Sequence, residues 1–315
     1  MQDVAPLLDR LRQCGVRHVN TPFASRRGFV RMSRLWAYAT WSFRLRREFD
    51  VLYTYGVGRF TQFLERFLVP AGSVVWHPFG NPAHLPPIIA DMPREIVTAV
   101  VAESTIHEAV VSRSFKVPVR IAVLPALTNA RSPAPARSRA VSEVRVAFLG
   151  RFDANKGAVW LADRWRHLSI QPARLDFYGN GPDRPQLQQR AAESSARIAV
   201  HGGWNGAEEL SAILQRTDLV VLPSLSEGVP LTLLECMANG VPFVASDVGG
   251  IPVLAEANPD VRIAPRGLEF ERAIEQMAAA IRRGEIDRAR LQQYFNARYA
   301  EDVVKARWCE FFTAC

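Results

Sequence analysis

From residue 144 onward the chain alternates short, continuously apolar runs with longer stretches whose apolar residues recur at helical spacing. The runs are VRVAFLG, RLDFYGNG, RIAVHGG, DLVVLPS, PFVASD and VRIAP, each followed by a helix-like segment. A strand that is apolar throughout is buried on both faces, as in a parallel sheet covered by helices on each side. The C-terminal half therefore reads as a doubly wound α/β domain. The first half repeats the texture less cleanly, with VRHVNTP, DVLYTYG, SVVWHPFG, IVTAVVAES and VRIAVLPA as candidate strands. Between the halves, TNARSPAPARSRAVSE (128–143) has no apolar period and reads as a linker. The expected organisation is two α/β domains in tandem without a short internal repeat. The first spans 1–127, the linker 128–143 and the second 144–285, with helices over 286–315 that cross back to the first domain.

A chain of 315 residues with 48% hydrophobic content can bury the cores of two such domains. It contains no run of about 20 apolar residues, and MQDVAPLLDRLRQCG at the N-terminus has acids and Arg where a secretory leader is apolar. Cys14, Cys236, Cys309 and Cys315 are scattered without C-x-x-C spacing, which argues against a zinc site and against a secreted disulfide framework. A cytoplasmic setting is expected. The formal charge of +8 implies an anionic partner. Nucleic acid is not expected, because the basic residues come without a helix-turn-helix, zinc-finger or aromatic RNA-binding motif.

Open α/β sheets bind ligands at the carboxyl ends of their strands, so the loops that follow the strands are where chemistry is expected. After VAFLG comes RFDANKG, which places Arg151 and Lys156 in one strand-to-helix turn, two cations suited to a phosphate or diphosphate. After LDFYG, Gly179 and Gly181 permit a tight turn and close backbone approach. After VVLPS comes SEGVPLTLLECMANGVP, in which Pro230 suits a helix's first turn and leaves the amides of Leu231 and Thr232 free for an anion. Glu227 lies in the loop before that helix and Glu235 roughly one turn inside it. Carboxylates accept hydrogen bonds from paired hydroxyls, so a sugar and a ribose on either side of a diphosphate would account for both acids and the cations together. Read separately, Glu227 also suits a helix cap and Glu235 an exposed helix position.

GRFDANKG, FYGNGP, HGG and LPSLSEGVPLTLLECMANGVPFVASDVGGIP, in this order and spacing over 144–265, resemble the nucleotide-sugar domain of the retaining glycosyltransferases of family 4. The resemblance implies a GT-B architecture, two Rossmann-like doubly wound domains facing across a cleft. It implies a nucleotide-diphosphate sugar as donor, with Glu227 by the transferred sugar and Glu235 on the ribose hydroxyls. Arg151 and Lys156 would neutralise the diphosphate, so that no cofactor and no metal are expected. Gly228, Leu231, Thr232, Gly179, Gly181, Gly203 and Trp204 complete the donor site, with the base read largely through backbone groups near HGGW. His77 in VVWHPFG resembles the family's strand-end histidine, which contacts the sugar from the opposite domain. The family is thought to retain configuration by front-face attack, and its acceptors are often saccharides or lipid-linked. A cell-surface polysaccharide or glycolipid pathway is the implied setting.

The chain departs from the family pattern in three places: Val253 stands where an acid is usual, DVLYTYG replaces a His-rich strand with Tyr53 and Tyr55, and the opening glycine-loop strand is absent. A nucleotide-sugar epimerase and a non-catalytic partner subunit remain as alternatives. The stretch SRRGFVRMSRLWAYATWSFRLRREFD (25–50) carries seven arginines against two acids. Read as a helix, it places Met32, Trp36, Ala39 and Phe43 on one stripe, which fits either a sheet-covering helix or a peripheral contact with anionic membrane.

Overall fold

The computed structural model describes residues 51–55, 73–78, 80–90, 97–115, 118–125, 128, 130, 140–170, 173–194 and 197–314. VRHVNTP, the arginine-rich stretch 25–50 and most of the linker lie outside these residues. The described residues fall into two compact units. Unit 1 lies within Met1–Phe79, Ala83–Leu127 and Lys305–Cys315, and unit 2 within Gly80–Pro82 and Thr128–Val304.

In unit 1 four strands form a parallel sheet in the order β1 (Val51–Tyr55), β2 (Ser73–His77), β3 (Ala99–Ala102) and β4 (Arg120–Val123). All four residues of β3, AVVA, are buried, as the continuous apolar run predicts for an inner strand. Helices α1 (Leu85–Ala90) and α2 (Thr105–Ser114) contribute Leu85, Ile89 and Val111 to a core around Trp76 and Val100. Ser104 caps α2 by accepting the His107 amide at 3.3 Å.

Unit 2 carries a six-stranded, wholly parallel sheet. Its elements in chain order are β5 (Val144–Leu149), α3 (Ala158–Trp165), β6 (Ala173–Tyr178), α4 (Arg184–Glu193), β7 (Ile198–Val200) and α5 (Gly206–Gln215). They continue with β8 (Leu219–Leu222), α6 (Leu231–Ala238), β9 (Phe243–Ser246), β10 (Arg262–Ala264), α7 (Leu268–Arg283) and α8 (Arg288–Tyr299). Spatial order is β10-β9-β8-β5-β6-β7. The inner strands β8 (LVVL) and β9 (FVAS) are buried along their whole length. Helix α7 shows the expected amphipathic spacing, burying Phe270, Ala273, Ile274, Met277, Ala278 and Ile281, with acids in its first turn and arginines in its last. One predicted helix is smaller than its pattern. PFVASD is followed by a single 3-10 helix, Ile251–Ala255, because Gly249 and Gly250 precede it and Pro252 sits in its first turn.

Helix α9 (Glu301–Thr313) begins in unit 2 and its last residues belong to unit 1. There Trp308 donates its indole N–H to the Pro125 carbonyl at 3.3 Å, and Arg120 lies 5.0 Å from the Phe311 ring centroid. Cys236 is free and buried, whereas Cys309 is disulfide-bonded. The scattered spacing argues against a disulfide framework, yet a bridge forms at Cys309, because sequence separation says little about which thiols meet in space. Among the described residues no helix is long and apolar enough to cross a membrane.

The order of the unit 2 sheet sets the place of the site. The chain runs outward from β5 through β6 to β7, then crosses back to place β8 on the other side of β5. The loops after β5 and β8 thus diverge in opposite directions and open a crevice at their carboxyl ends, the topological switch point.

Candidate active site

The two loops at the switch point are tied to each other. In the turn after β5 the Lys156 amide donates to the Asp153 side chain at 3.0 Å, which fixes the turn into α3. The Leu225 amide donates to the Asn155 carbonyl at 2.7 Å, and the Asn155 side chain returns a bond to the Ser226 carbonyl at 3.0 Å. Asn81 adds a bond to the Ser226 hydroxyl at 2.9 Å. With the loops held this way, Lys156 Nζ stands 2.5 Å from Glu227 Oε1, and the buried Ser224 hydroxyl donates to the same oxygen at 2.6 Å. Glu227 is only 8% exposed, and a buried carboxylate persists when its charge is paired and hydrogen-bonded. Its other oxygen has no partner among the described residues, so it can accept from an incoming hydroxyl.

Pro230 caps α6, and the helix starts at Leu231. The amides of Leu231 and Thr232 therefore have no intrahelical acceptor, and no acidic side chain occupies the first turn. That end of the helix presents unspent donors and the positive end of the dipole, as an anion site does. Glu235 sits one turn further on, half-buried, and its carboxylate makes no hydrogen bond or ion pair among the described residues. Burial alone pushes its carboxyl from 4.5 up to about 7.

Glycines line the remaining walls for want of space. A Cβ on Gly249 would lie 1.8 Å from the Glu227 carbonyl oxygen, and its φ of +60° is one that residues with a side chain rarely adopt. The Gly250 amide bonds the Gly228 carbonyl at 2.8 Å, so the loop after β9 presses directly on the backbone at Glu227 and Gly228. Gly179 and Gly181 are as confined, with Cβ positions 1.8 Å from the Gly150 carbonyl and 2.2 Å from the Phe152 carbonyl. The loop after β6 thus packs backbone to backbone on the loop after β5. Gly203 lies beside the Asn180 amide, and Trp204 packs its ring against the hydrophobic core of the unit.

The structure thus brings Lys156, Glu227, Gly228, Leu231, Thr232 and Glu235 to one crevice, with Gly179 and Gly181 at its wall. Arg151 shares the loop but points outward: its side chain is 74% exposed and pairs with Asp153 at 3.1 Å. His77 belongs to unit 1, where it ends β2. The ring is 4% exposed, with Nδ1 in a short hydrogen bond to the Tyr53 hydroxyl and Nε2 3.8 Å from Glu103. Burial, with His107 nearby, lowers its pKa from 6.5 to about 3, so the ring is neutral at physiological pH.

Three contributors were not singled out from the sequence. Ser224 precedes Glu227 by three residues, close enough to reach its side chain within one turn. Asn155 is one residue from Lys156 and looks like any polar loop residue. Arg184, discussed below, leaves a signal: a cation in the first turn of a helix, where the dipole favours acids.

With this geometry in hand, comparison with known proteins is informative. Residues 143–283 match the family model described as glycosyl transferases group 1. This stretch is similar to the group 1 glycosyltransferases. Among curated proteins, the amylovoran biosynthesis glycosyltransferase AmsK of Erwinia amylovora is 29% identical over 174 residues, covering 50% of this chain and 42% of that protein. The alpha-D-kanosaminyltransferase of Streptomyces kanamyceticus is 31% identical over 137 residues, covering 42% of this chain and 36% of the relative. The chain thus spans less than half the length of the curated relatives it matches. Among solved structures, Anabaena HepE in complex with UDP superposes with a TM-score of 0.73 at 15% identity, covering 88% of this chain and 82% of that one. The chain shares its fold with GT-B glycosyltransferases.

Proposed function

We propose that the chain transfers a sugar from a nucleoside-diphosphate sugar to a growing saccharide or lipid-linked acceptor, with retention of configuration, as a glycosyltransferase of family 4. The observation that carries the reading is the Lys156–Glu227–Ser224 cluster at the switch point, beside the N-terminal turn of α6, whose first amides have no intrahelical acceptor. In this reading the diphosphate docks on the Leu231 and Thr232 amides, with Lys156 and Arg151 flanking it. As the bond from the anomeric carbon to the leaving oxygen breaks, charge grows on the diphosphate. Fixed cations and amide donors stabilise that charge more than the ground state. They take the part a metal plays elsewhere, so activity survives EDTA.

Glu235 then receives the ribose hydroxyls, which gives its carboxylate the partners it lacks. Glu227 meets the transferred sugar through the oxygen that Lys156 and Ser224 leave open. Gly228, Gly203 and Trp204 belong to the donor pocket. The polysaccharide setting is supported by the names of relatives such as AmsK, and peripheral attachment to anionic membrane belongs to the same proposal.

A thermal-shift panel with UDP-, GDP- and ADP-sugars tests the reading, because a ligand that binds the folded state raises the melting temperature by mass action. A rise with one nucleotide series, followed by acceptor-dependent release of that nucleotide, supports it. Product formed without acceptor would indicate an epimerase, and no shift with any series would indicate a non-catalytic subunit.

A further inference from the structure

Unit 2 contains one cation with an unusual set of contacts. Arg184 opens α4, at the positive end of the helix where a guanidinium is disfavoured, and no acid accompanies it in the first turn. Its Nη1 donates to the Gly179 carbonyl at 3.1 Å, the Asn180 side-chain oxygen at 3.0 Å and the His201 carbonyl at 2.8 Å. All three acceptors are uncharged, and they belong to two different loops, those after β6 and β7. Among the described residues, the backbone tie between these loops beyond the strands is the Gly179 amide on the Gly202 carbonyl at 3.0 Å. The His201 ring is fixed in turn by the Asp176 carboxylate at 2.9 Å and by stacking on Tyr178 at 4.5 Å between centroids. A cation placed against a helix dipole is maintained here by the geometry it imposes on two loops.

We infer that Arg184 is a positioning residue for the nucleoside end of the donor: it sets the spacing of the Gly179–Gly181 and His201–Gly203 loops across which the base and ribose lie. The inference rests on the donor-site reading above and deepens it. The diphosphate machinery belongs to the loops after β5 and β8, and none of the three Arg184 side-chain hydrogen bonds reaches either of them. A diphosphate and a nucleoside diphosphate should therefore respond differently to its loss. All three bonds come from Nη1, which the shorter lysine side chain does not place at the same point, so Arg184→Lys keeps the charge and alters the geometry.

The test is calorimetric titration of wild type, Arg184→Lys and Asn180→Ala with UDP, GDP, ADP and inorganic pyrophosphate, alongside thermal melts. The exposed Asn180 removes one acceptor without touching the helix, and it serves if the arginine variant is too unstable to titrate. The expected result is that Arg184→Lys weakens the preferred nucleotide roughly tenfold, as loss of charge-assisted bonds implies, while pyrophosphate affinity stays within twofold of wild type. Asn180→Ala should show the same split to a smaller degree. Equal weakening of nucleotide and pyrophosphate, or unchanged nucleotide affinity in both variants, would overturn the inference while leaving the donor site standing. Failure of the wild type to bind any of the three nucleotides would overturn the donor-site reading, and the inference with it.

Discussion

Each unit keeps a desolvated titratable group near the carboxyl end of its sheet, and the two are treated oppositely. In unit 1 His77 is enclosed by Tyr53, Glu103 and the Trp308 ring, 5.5 Å away between centroids. In unit 2 Glu235 is also shifted by burial, in the opposite direction, but has no protein partner among the described residues. A buried polar group normally has its partners in the protein. Where the protein supplies one, as the Tyr53 hydroxyl does at His77 Nδ1, the group ties neighbouring strands of the unit together. Where it does not, as at Glu235, the group costs stability, and a ligand rich in hydroxyls recovers that cost. The contrast separates a structural strand end from one prepared for a ligand.

The largest expected effect breaks the comparison on the unit 1 side. His77 has a folded pKa of about 3 against 6.5 unfolded, so the unfolded chain takes up a proton across that window that the folded one does not. Stability should fall as pH drops from 6.5 toward 3, by up to about 5 kcal/mol at one pKa unit per 1.36 kcal/mol. Urea unfolding across pH would show this, and His77→Gln should flatten the slope. Glu235 has the opposite sign. Its folded pKa is raised to about 7 from 4.5, so the folded state binds more protons and stability falls as pH rises from 4.5 to 7. Glu235→Gln should therefore stabilise the free protein at pH 8, by up to about 3 kcal/mol, while weakening donor binding.

Two further substitutions sharpen the unit 2 side. Lys156→Ala removes a cation from the site of growing charge and should lower kcat about 100-fold, more than it raises KM for the donor. Steady-state kinetics decide, and a change in KM alone would mean that Lys156 serves ground-state binding. The smallest effect belongs to Ser224→Ala, which takes one of two donors from Glu227 and should cost about 1 kcal/mol of stability with a few-fold loss of turnover. Chemical denaturation and kinetics measured on the same sample would check both.

Much of unit 2 was legible because its strands are buried on both faces and its loops carry residues chosen by space. All six apolar runs became strands, and Gly179, Gly181 and Gly249 proved to be glycines because a Cβ would overlap a neighbouring carbonyl. The alternation could not show which loops touch. That Lys156 pairs with Glu227 while Arg151 turns outward to Asp153 depends on the bonds from Asn155 across to Ser226, which join residues 71 apart in sequence. The burial of His77 was hidden for a similar reason: its partner Tyr53 lies on the neighbouring strand, and a tyrosine there reads equally well as core or surface.

The central claim is that Glu235 lacks partners because a ribose supplies them, and proton linkage tests it most directly. Titrations with UDP, GDP and ADP at pH 6.5, in two buffers of different ionisation enthalpy, report the protons exchanged on binding. Glu235 is largely protonated at that pH and must ionise to accept the hydroxyls. The preferred nucleotide should therefore release most of one proton from wild type and close to none from Glu235→Gln, with weaker binding in the variant. Binding that releases no proton, or releases the same amount from both proteins, would contradict the claim.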